Sequence, residues 1–158
     1  MSELHQRKRP ASTAVFEHQN RSAILFLTVC TARRKPILAN ASVASLLLDV
    51  WGNAQTWQVG RYVIMPDHIH LFCAPAQFEY PSVKKWVQFW KSRVSSRWPQ
   101  PNEQPVWHPD VWDRQLRSGE SYSEKWAYVR NNPIRHGLVE HVDDWPYQGE
   151  LNSFTWHD

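Results

Sequence analysis

Two histidines spaced two positions apart are the residues of this chain best suited to chemistry. His68 and His70 lie in the segment Tyr62–Phe72, which is rich in apolar and β-branched residues. That composition predicts a β-strand, and residues i and i+2 of a strand project from the same face. Imidazole is the commonest metal ligand among side chains, so the pair could hold a metal ion and leave positions open for substrate. An ordinary half-exposed histidine pair without a ligand is the alternative.

A second segment, Tyr128 to Val139, carries the other side chains of interest. Its sequence is Tyr-Val-Arg-Asn-Asn-Pro-Ile-Arg-His-Gly-Leu-Val. Tyr128 and Asn132 stand four residues apart and would share one face of a helix. Pro133, however, disfavours helical geometry at Asn132. From the residues alone, Tyr128 could be a tyrosine that packs on the core, and Asn132 could be only a helix C-cap.

Together the two segments resemble the signatures of single-tyrosine HUH transposases. Met65-Pro-Asp-His-Ile-His-Leu71 is similar to the histidine signature of that family. Tyr128 and the run Asn132-Pro-Ile-Arg-His-Gly-Leu-Val139 are similar to the tyrosine signature of one branch, the REP-associated tyrosine transposases. The resemblance extends from about Phe26 to Trp145.

The resemblance implies a metal-dependent endonuclease and strand transferase that acts on single-stranded DNA. Tyr128 would attack the scissile phosphate and leave a 5′-phosphotyrosine and a free 3′-hydroxyl, with His68 and His70 as the other catalytic residues. A phenol suits this role because its aryl ester can leave again in the rejoining step. Tyr122, outside the motif, is the rival nucleophile. The implied target is a hairpin of the repetitive extragenic palindrome type.

The resemblance also places the third metal ligand at Asn132, beside His68 and His70. Mixed nitrogen and oxygen ligands favour Mg²⁺ or Mn²⁺, although ligand type alone does not exclude zinc. Such an ion would polarise the scissile phosphate and neutralise its developing charge. Asp67 could orient one imidazole from outside the ligand set, or it could be a plain turn residue.

Basic side chains predict the contacts with the DNA backbone. The candidates are Arg33, Arg34, Lys35, Lys84, Lys91 and Arg135. The alternative for Lys84 and Lys91 is a solvated helix face. Arg135 and His136 could instead terminate the helix favourably. Residues 1–20 form a basic arm that includes Arg7-Lys8-Arg9 and could grip DNA or be a flexible tail.

The composition indicates one folded domain. The chain has 158 residues, 42% hydrophobic, with a net charge of +3 and two cysteines. After the arm we expect a single HUH domain over residues 21–158, with 138–158 as a tail packed on it. No signal segment or long apolar run is visible, which favours a cytoplasmic protein that associates with the nucleoid when bound to DNA.

The elements that must position these residues follow from periodicity and turn signals. Strands are predicted at 23–30, 58–65, 68–74 and within 106–114, and helices at 42–55 and 82–98. A capping box at Ser121 announces one more helix, which carries Trp126, Tyr128 and Asn131 before Pro133 ends it. This βαββαβ order is typical of a ferredoxin-like α+β sandwich, in which two helices cover one face of an antiparallel sheet. The open face would hold the histidines and receive the additional helix.

Two other functions fit the same residues. One is a hairpin-DNA-binding module that no longer cuts, and the other is a metal-dependent hydrolase that uses water. Formation of a covalent protein–DNA adduct distinguishes these from a transposase. Members of the family act as dimers or as monomers, so a monomer and a homodimer are both open.

Overall fold

The computed structural model of the protein describes residues 23–116 and 121–154. The predicted basic arm, residues 1–20, lies outside this part of the chain. The strands are β1 (Leu25–Cys30), β2 (Trp57–Ile64), β3 (His68–Pro75), β4 (Trp112–Gln115) and β5 (Gln148–Glu150). The α-helices are α1 (Ala41–Asn53), α2 (Val83–Ser96), α3 (Tyr122–Val129) and the single turn α4 (Asn132–Arg135).

The strands form one five-stranded sheet in the order β4-β1-β3-β2-β5, and each neighbouring pair is antiparallel. The predicted antiparallel sheet with helices is therefore confirmed. Strand β4 begins later than the segment 106–114 suggested, and β5 was not predicted. None of the helices in the described ranges is long and apolar enough to cross a membrane.

Side-chain caps explain where the three longer helices begin. The Asn40 side chain accepts a hydrogen bond from the Val43 amide at 2.9 Å at the start of α1. Ser82 and Ser121 accept in the same way at the starts of α2 and α3. Each cap satisfies one of the amide groups that a first helical turn leaves unpaired, so these starts are readable from sequence.

The sheet separates two apolar cores because its residues alternate between faces. On one face Leu27, Ile69 and Leu71 pack with α1 and α2. On the other face Phe72 packs with Tyr122 of α3, in a cluster that also holds residues of the C-terminal segment. His68 and His70 share the strand face of Phe72, so α3 covers the face that carries the histidines.

The predicted helix that carries Tyr128 and Asn131 ends earlier than expected. Helix α3 stops at Val129, and Asn132 opens the separate turn α4, with Pro133 in its first turn. A proline is accepted there because first-turn amides have no intrahelical partner. Tyr128 and Asn132 therefore do not lie on one continuous helix.

A β-bulge in β2 connects the sheet to α3. Val59 lies opposite Cys73 and Tyr62 opposite Leu71, so β2 holds one extra residue across this interval. The amide of Arg61 within the bulge donates to the Tyr122 hydroxyl at 2.9 Å. A methyl group on Gly60 would lie 2.6 Å from the Phe154 ring, so glycine is required for this close approach.

Tyr122→Phe is expected to lower the free energy of unfolding by about 1–2 kcal/mol, because it leaves the Arg61 amide without its acceptor. Urea denaturation followed by tryptophan fluorescence measures this change. The matched control is Tyr147→Phe, since the Tyr147 hydroxyl has no hydrogen bond within the described residues. Equal stability of the two variants would contradict a structural role for the Tyr122 hydroxyl.

Candidate active site

The two histidines of β3 come together as the strand period predicts. The centroids of the His68 and His70 rings are 4.7 Å apart, with the rings nearly perpendicular. His68 is buried, with 7% of its surface exposed, and His70 is partly exposed. The ring of Phe26 stacks on His70 at 5.2 Å. The pair is thus fixed by a central strand and an aromatic neighbour.

Each histidine uses its Nδ1 within the protein. His68 Nδ1 lies 2.8 Å from the Asp67 carboxylate, and His70 Nδ1 lies 3.1 Å from the Thr28 hydroxyl. Neither Nε2 has a hydrogen-bond partner within residues 23–116 and 121–154. Because Nε2 lies across the ring from Nδ1, each imidazole keeps a nitrogen for a ligand outside the fold.

Burial keeps both imidazoles neutral. Desolvation, together with the smaller effect of nearby charged groups such as Arg135, lowers the pKa of His70 to about 3. Desolvation also lowers the pKa of His68, against the opposing effect of the Asp67 carboxylate. A neutral imidazole has the lone pair that metal binding needs, so the pair is chemically suited to a divalent cation at neutral pH.

The lowered pKa of His70 gives the metal-free protein a defined pH dependence. The unfolded chain takes up a proton near pH 6.5, whereas the folded chain does so only near pH 3. The contribution of His70 to the free energy of unfolding is therefore fully present above about pH 6.5. It is lost as the pH falls toward 3, by roughly 1 kcal/mol per pH unit. Urea titrations between pH 7.5 and 5 measure this slope. We expect His70→Gln to reduce it and His141→Gln, at an exposed position, to leave it unchanged; an unaltered slope in His70→Gln would refute the assignment.

Tyr128 presents its phenol to solvent at the C-terminal end of α3. Its side chain is 64% exposed, and the Arg135 guanidinium lies 4.3 Å from the ring centroid. Arg135 also donates to the Tyr128 carbonyl at 3.0 Å. Since the charge of Arg135 also lowers the pKa of His70, this arginine lies near the histidine pair.

The rival tyrosine is placed where it cannot meet a substrate. Tyr122 is 0% exposed, and its hydroxyl is occupied by the Arg61 amide. Burial raises the pKa of the Tyr122 phenol, which opposes its activation as a nucleophile. Of the two candidates, only Tyr128 is accessible.

Asn132 makes a capping contact through its side-chain nitrogen. Its side-chain amide donates to the Val129 carbonyl at 2.8 Å, which is the capping role that the sequence left open. This bond uses Nδ2 and leaves Oδ1 for another partner. His136 Nδ1 contacts the Asn132 carbonyl at 2.9 Å, and the His136 ring lies 6.3 Å from that of His68. The turn that begins at Asn132 therefore lies beside the pair.

The donors present fit a divalent cation only in part. Within the described ranges, no three His, Cys, Asp or Glu side chains are grouped so that they could hold a metal ion. The two free Nε2 atoms are suitable ligands, and the Asn132 amide oxygen is the kind of third ligand that Mg²⁺ and Mn²⁺ accept. The metal site thus stays a prediction that depends on Asn132 or on oxygens supplied by substrate.

The predicted DNA contacts divide between the two faces of the sheet. Arg34 and Arg135 lie close enough to His70 for their charges to lower its pKa, and Arg33 is exposed on the same turn as Arg34. Lys84 is exposed on α2, which packs on the opposite face from the histidines. The candidates therefore do not form one continuous surface.

Two of the predicted lysines are used inside the fold. Lys91 is 7% exposed, and its ammonium donates to the carbonyls of His108 and Asp110 at 2.7 and 3.1 Å. Burial lowers the pKa of Lys91 to about 8. Lys35 donates to the Glu103 and Pro105 carbonyls. These contacts within the protein differ from the predicted contacts with DNA. For Lys91, the helical pattern of the sequence does not show that a later loop will cover the side chain.

Thr28 and Phe26 are the residues of the site that the sequence reasoning missed. They lie on the same face of β1, where Thr28 is opposite His70 and Phe26 is opposite Phe72 in the antiparallel register. The signal was available, since β1 and β3 were both predicted and Phe26 and Thr28 have the same period-two spacing as the histidines. Their pairing required the register between the two strands, which the sequence did not provide.

Two known proteins are similar to this chain in sequence. No family profile matches the chain. A REP-associated tyrosine transposase of Escherichia coli K12 is 24% identical over 91 residues, covering 58% of this chain and 53% of that protein. A Haemophilus influenzae protein assigned to the same family is 31% identical over 99 residues, covering 53% of each. The chain thus spans about half the length of these curated relatives.

A solved structure shares the fold. It is that of a REP-associated tyrosine transposase bound to a REP hairpin, with a TM-score of 0.67 and 18% identity over 86% of this chain and 91% of that one. The antiparallel sheet and its helices therefore match the fold of that protein. The predicted resemblance is confirmed as well: the chain is similar in sequence to REP-associated tyrosine transposases over about half of their length.

Proposed function

We propose that the chain is a metal-dependent enzyme that nicks single-stranded DNA and transfers the strand through a covalent tyrosine intermediate. The observation that carries this proposal is the combination of two neutral imidazoles with free Nε2 atoms and an accessible phenol on the adjoining helix. The order of strands and crossover helices supports a ferredoxin-like HUH domain, with α3 as the added helix that carries the nucleophile.

The proposed reaction assigns a role to each residue of the site. The Tyr128 oxygen attacks the phosphorus, the bond from phosphorus to the 3′-oxygen breaks, and that oxygen leaves and takes up a proton while the phenol proton passes to solvent. The product is a 5′-phosphotyrosine, which keeps the bond energy for rejoining by a 3′-hydroxyl. Arg135, which stacks on the Tyr128 ring, would orient the phenol in this reaction.

His68, His70 and Asn132 would hold Mg²⁺ or Mn²⁺. When bound, the ion supplies Lewis-acid polarisation of the scissile phosphate. The protein contributes a rigid strand that keeps the two imidazoles 4.7 Å apart and neutral. The Asn132 amide nitrogen donates to the Val129 carbonyl, so the amide oxygen would be the third ligand.

The substrate we propose is hairpin DNA with unpaired bases beside its stem. The solved relative is bound to a REP hairpin. In this chain the face of the sheet that carries the histidines has a positive charge from Arg33, Arg34 and Arg135, which suits a phosphate backbone. Binding by these residues should weaken steeply as salt rises, because phosphate contacts release counterions.

A covalent-trapping assay tests the proposal. The purified chain is mixed with end-labelled single-stranded hairpin DNA in Mn²⁺ or in chelator, and the products are separated on a denaturing gel. We expect a Mn²⁺-dependent adduct, and mass spectrometry of the digested adduct should place the DNA on Tyr128. Cleavage without an adduct would support a hydrolase that uses water. Binding with neither cleavage nor adduct would support an inactive hairpin-binding module.

A further inference from the structure

A side-chain relay runs from the end of β1 to the first histidine. Arg34 Nε donates to one carboxylate oxygen of Asp67 at 3.1 Å, and the other oxygen lies 2.8 Å from His68 Nδ1. An Arg34 terminal nitrogen lies 3.3 Å from the same Nδ1. The carboxylate is thus held between a guanidinium group and an imidazole.

The backbone holds Arg34 in position for this contact. Arg33 and Arg34 both have left-handed conformations, with φ of 57° and 54°, which non-glycine residues rarely adopt. The turn is fastened by Thr31, whose amide donates to the Asp67 carbonyl at 3.0 Å and whose hydroxyl donates to the Lys35 carbonyl at 2.8 Å. Such strain persists only where surrounding contacts maintain it, and it often marks a functional position.

The contacts of His68 Nδ1 determine where its proton lies. A carboxylate can only accept a hydrogen bond, so the 2.8 Å contact with Asp67 requires a proton on Nδ1. The guanidinium can only donate, and its longer 3.3 Å approach would require a lone pair there instead. The shorter, charge-assisted bond prevails, which leaves the lone pair of the neutral ring on Nε2.

We propose that Asp67, held by Arg34, is a positioning residue that fixes His68 in the tautomer protonated on Nδ1. The free Nε2 is then oriented permanently as a ligand for the divalent cation. Only the cation rests on the proposed function; the tautomer is a property of the metal-free protein. His70 depends on a different partner, the neutral Thr28 hydroxyl, so the relay acts on one histidine of the pair.

The tautomer is measured directly by long-range ¹H–¹⁵N correlation spectra of the metal-free protein at pH 7.5. His68→Gln assigns the His68 signals by their loss. We expect wild-type His68 to show a protonated Nδ1 and an unprotonated Nε2. In Asp67→Ala the proton should move toward Nε2, while His70 keeps its signals, and Arg34→Gln should give a smaller change in the same direction.

Cation binding supplies the second measurement. Titration with Mn²⁺ followed by electron paramagnetic resonance should show an affinity about 10–100-fold lower in Asp67→Ala than in wild type. The matched control is Asp49→Ala, which removes an exposed aspartate paired with Arg97 at 2.7 Å on the helix side of the sheet. Asp67→Ala should keep its fold, because the contacts of residue 67 with Thr31 use the backbone carbonyl.

The outcomes separate this proposal from the proposed function. A wild-type His68 protonated on Nε2, or unchanged His68 signals in Asp67→Ala, would overturn the positioning role whatever the enzyme does. Equal Mn²⁺ affinity in Asp67→Ala and wild type would also overturn it. Failure of wild type to bind Mn²⁺ would overturn the cation site in both proposals, and the spectra would still decide whether Asp67 sets the tautomer.

Discussion

Tyr128→Phe is expected to eliminate the covalent protein–DNA adduct and to reduce cleavage by on the order of a thousand-fold or more, as removal of an enzyme's nucleophile does. The substitution removes one oxygen from a side chain that is already 64% exposed. The aromatic ring that stacks under Arg135 is retained, so the fold and the local packing should persist. The measurement is the trapping assay in Mn²⁺, together with hairpin binding in chelator, which should be unchanged.

Two matched variants make this result specific. Tyr147→Phe removes a phenol oxygen from a half-buried tyrosine in the C-terminal segment and should leave adduct formation intact. Tyr122→Phe removes the buried phenol and should lower stability while the adduct still forms below the unfolding transition. An adduct that persists in Tyr128→Phe and disappears in Tyr122→Phe would identify Tyr122 as the nucleophile and refute the mechanism.

His70→Ala is expected to reduce Mn²⁺-dependent cleavage by about 100-fold or more, because Lewis-acid stabilisation of a phosphate contributes several kcal/mol. Loss of this imidazole leaves a single histidine on β3, which cannot hold the ion with Asn132 alone. Initial cleavage rates over a range of Mn²⁺ concentrations measure the effect. The loss should be only partly recovered at high Mn²⁺, since the ion would then lack a ligand that fixes its position.

The control for His70→Ala must separate chemistry from packing. The alanine leaves space beside Phe26, so His70→Gln, which fills more of that space, is measured alongside it. His141→Ala removes an exposed imidazole and should retain full activity. If both His70 variants cleave at the wild-type rate with unchanged Mn²⁺ dependence, the histidine pair is not the metal site.

The predictable parts of the structure are those that depend on local rules. The histidine pair follows from the period of a strand, and the starts of α1, α2 and α3 follow from Asn40, Ser82 and Ser121, whose side chains cap the helices. Chain order also predicted which strands would alternate with helices. These features need only a few neighbouring residues.

The parts that were missed depend on contacts between distant residues. Strand β5 consists of Gln-Gly-Glu and becomes a strand only because it pairs with Arg61 to Val63. Lys91 lies inside the fold because the loop at His108 to Asp110 supplies carbonyls for its ammonium. The end of α3 was misplaced because a proline is equally compatible with stopping one helix and with starting another.

The bulge in β2 couples the spacing of that strand to the position of the helix that carries Tyr128. The Arg61 amide points out of the ladder to the Tyr122 hydroxyl at the first residue of α3, and Tyr128 lies at the other end of that helix. Because Val59 and Tyr62 face the same core across the bulge, removal of the extra residue would restore regular pairing with β3. It would also remove the outward-turned amide to which the Tyr122 hydroxyl is anchored. A single deletion at residue 60 or 61 would therefore loosen the attachment to the sheet of the helix that carries Tyr128.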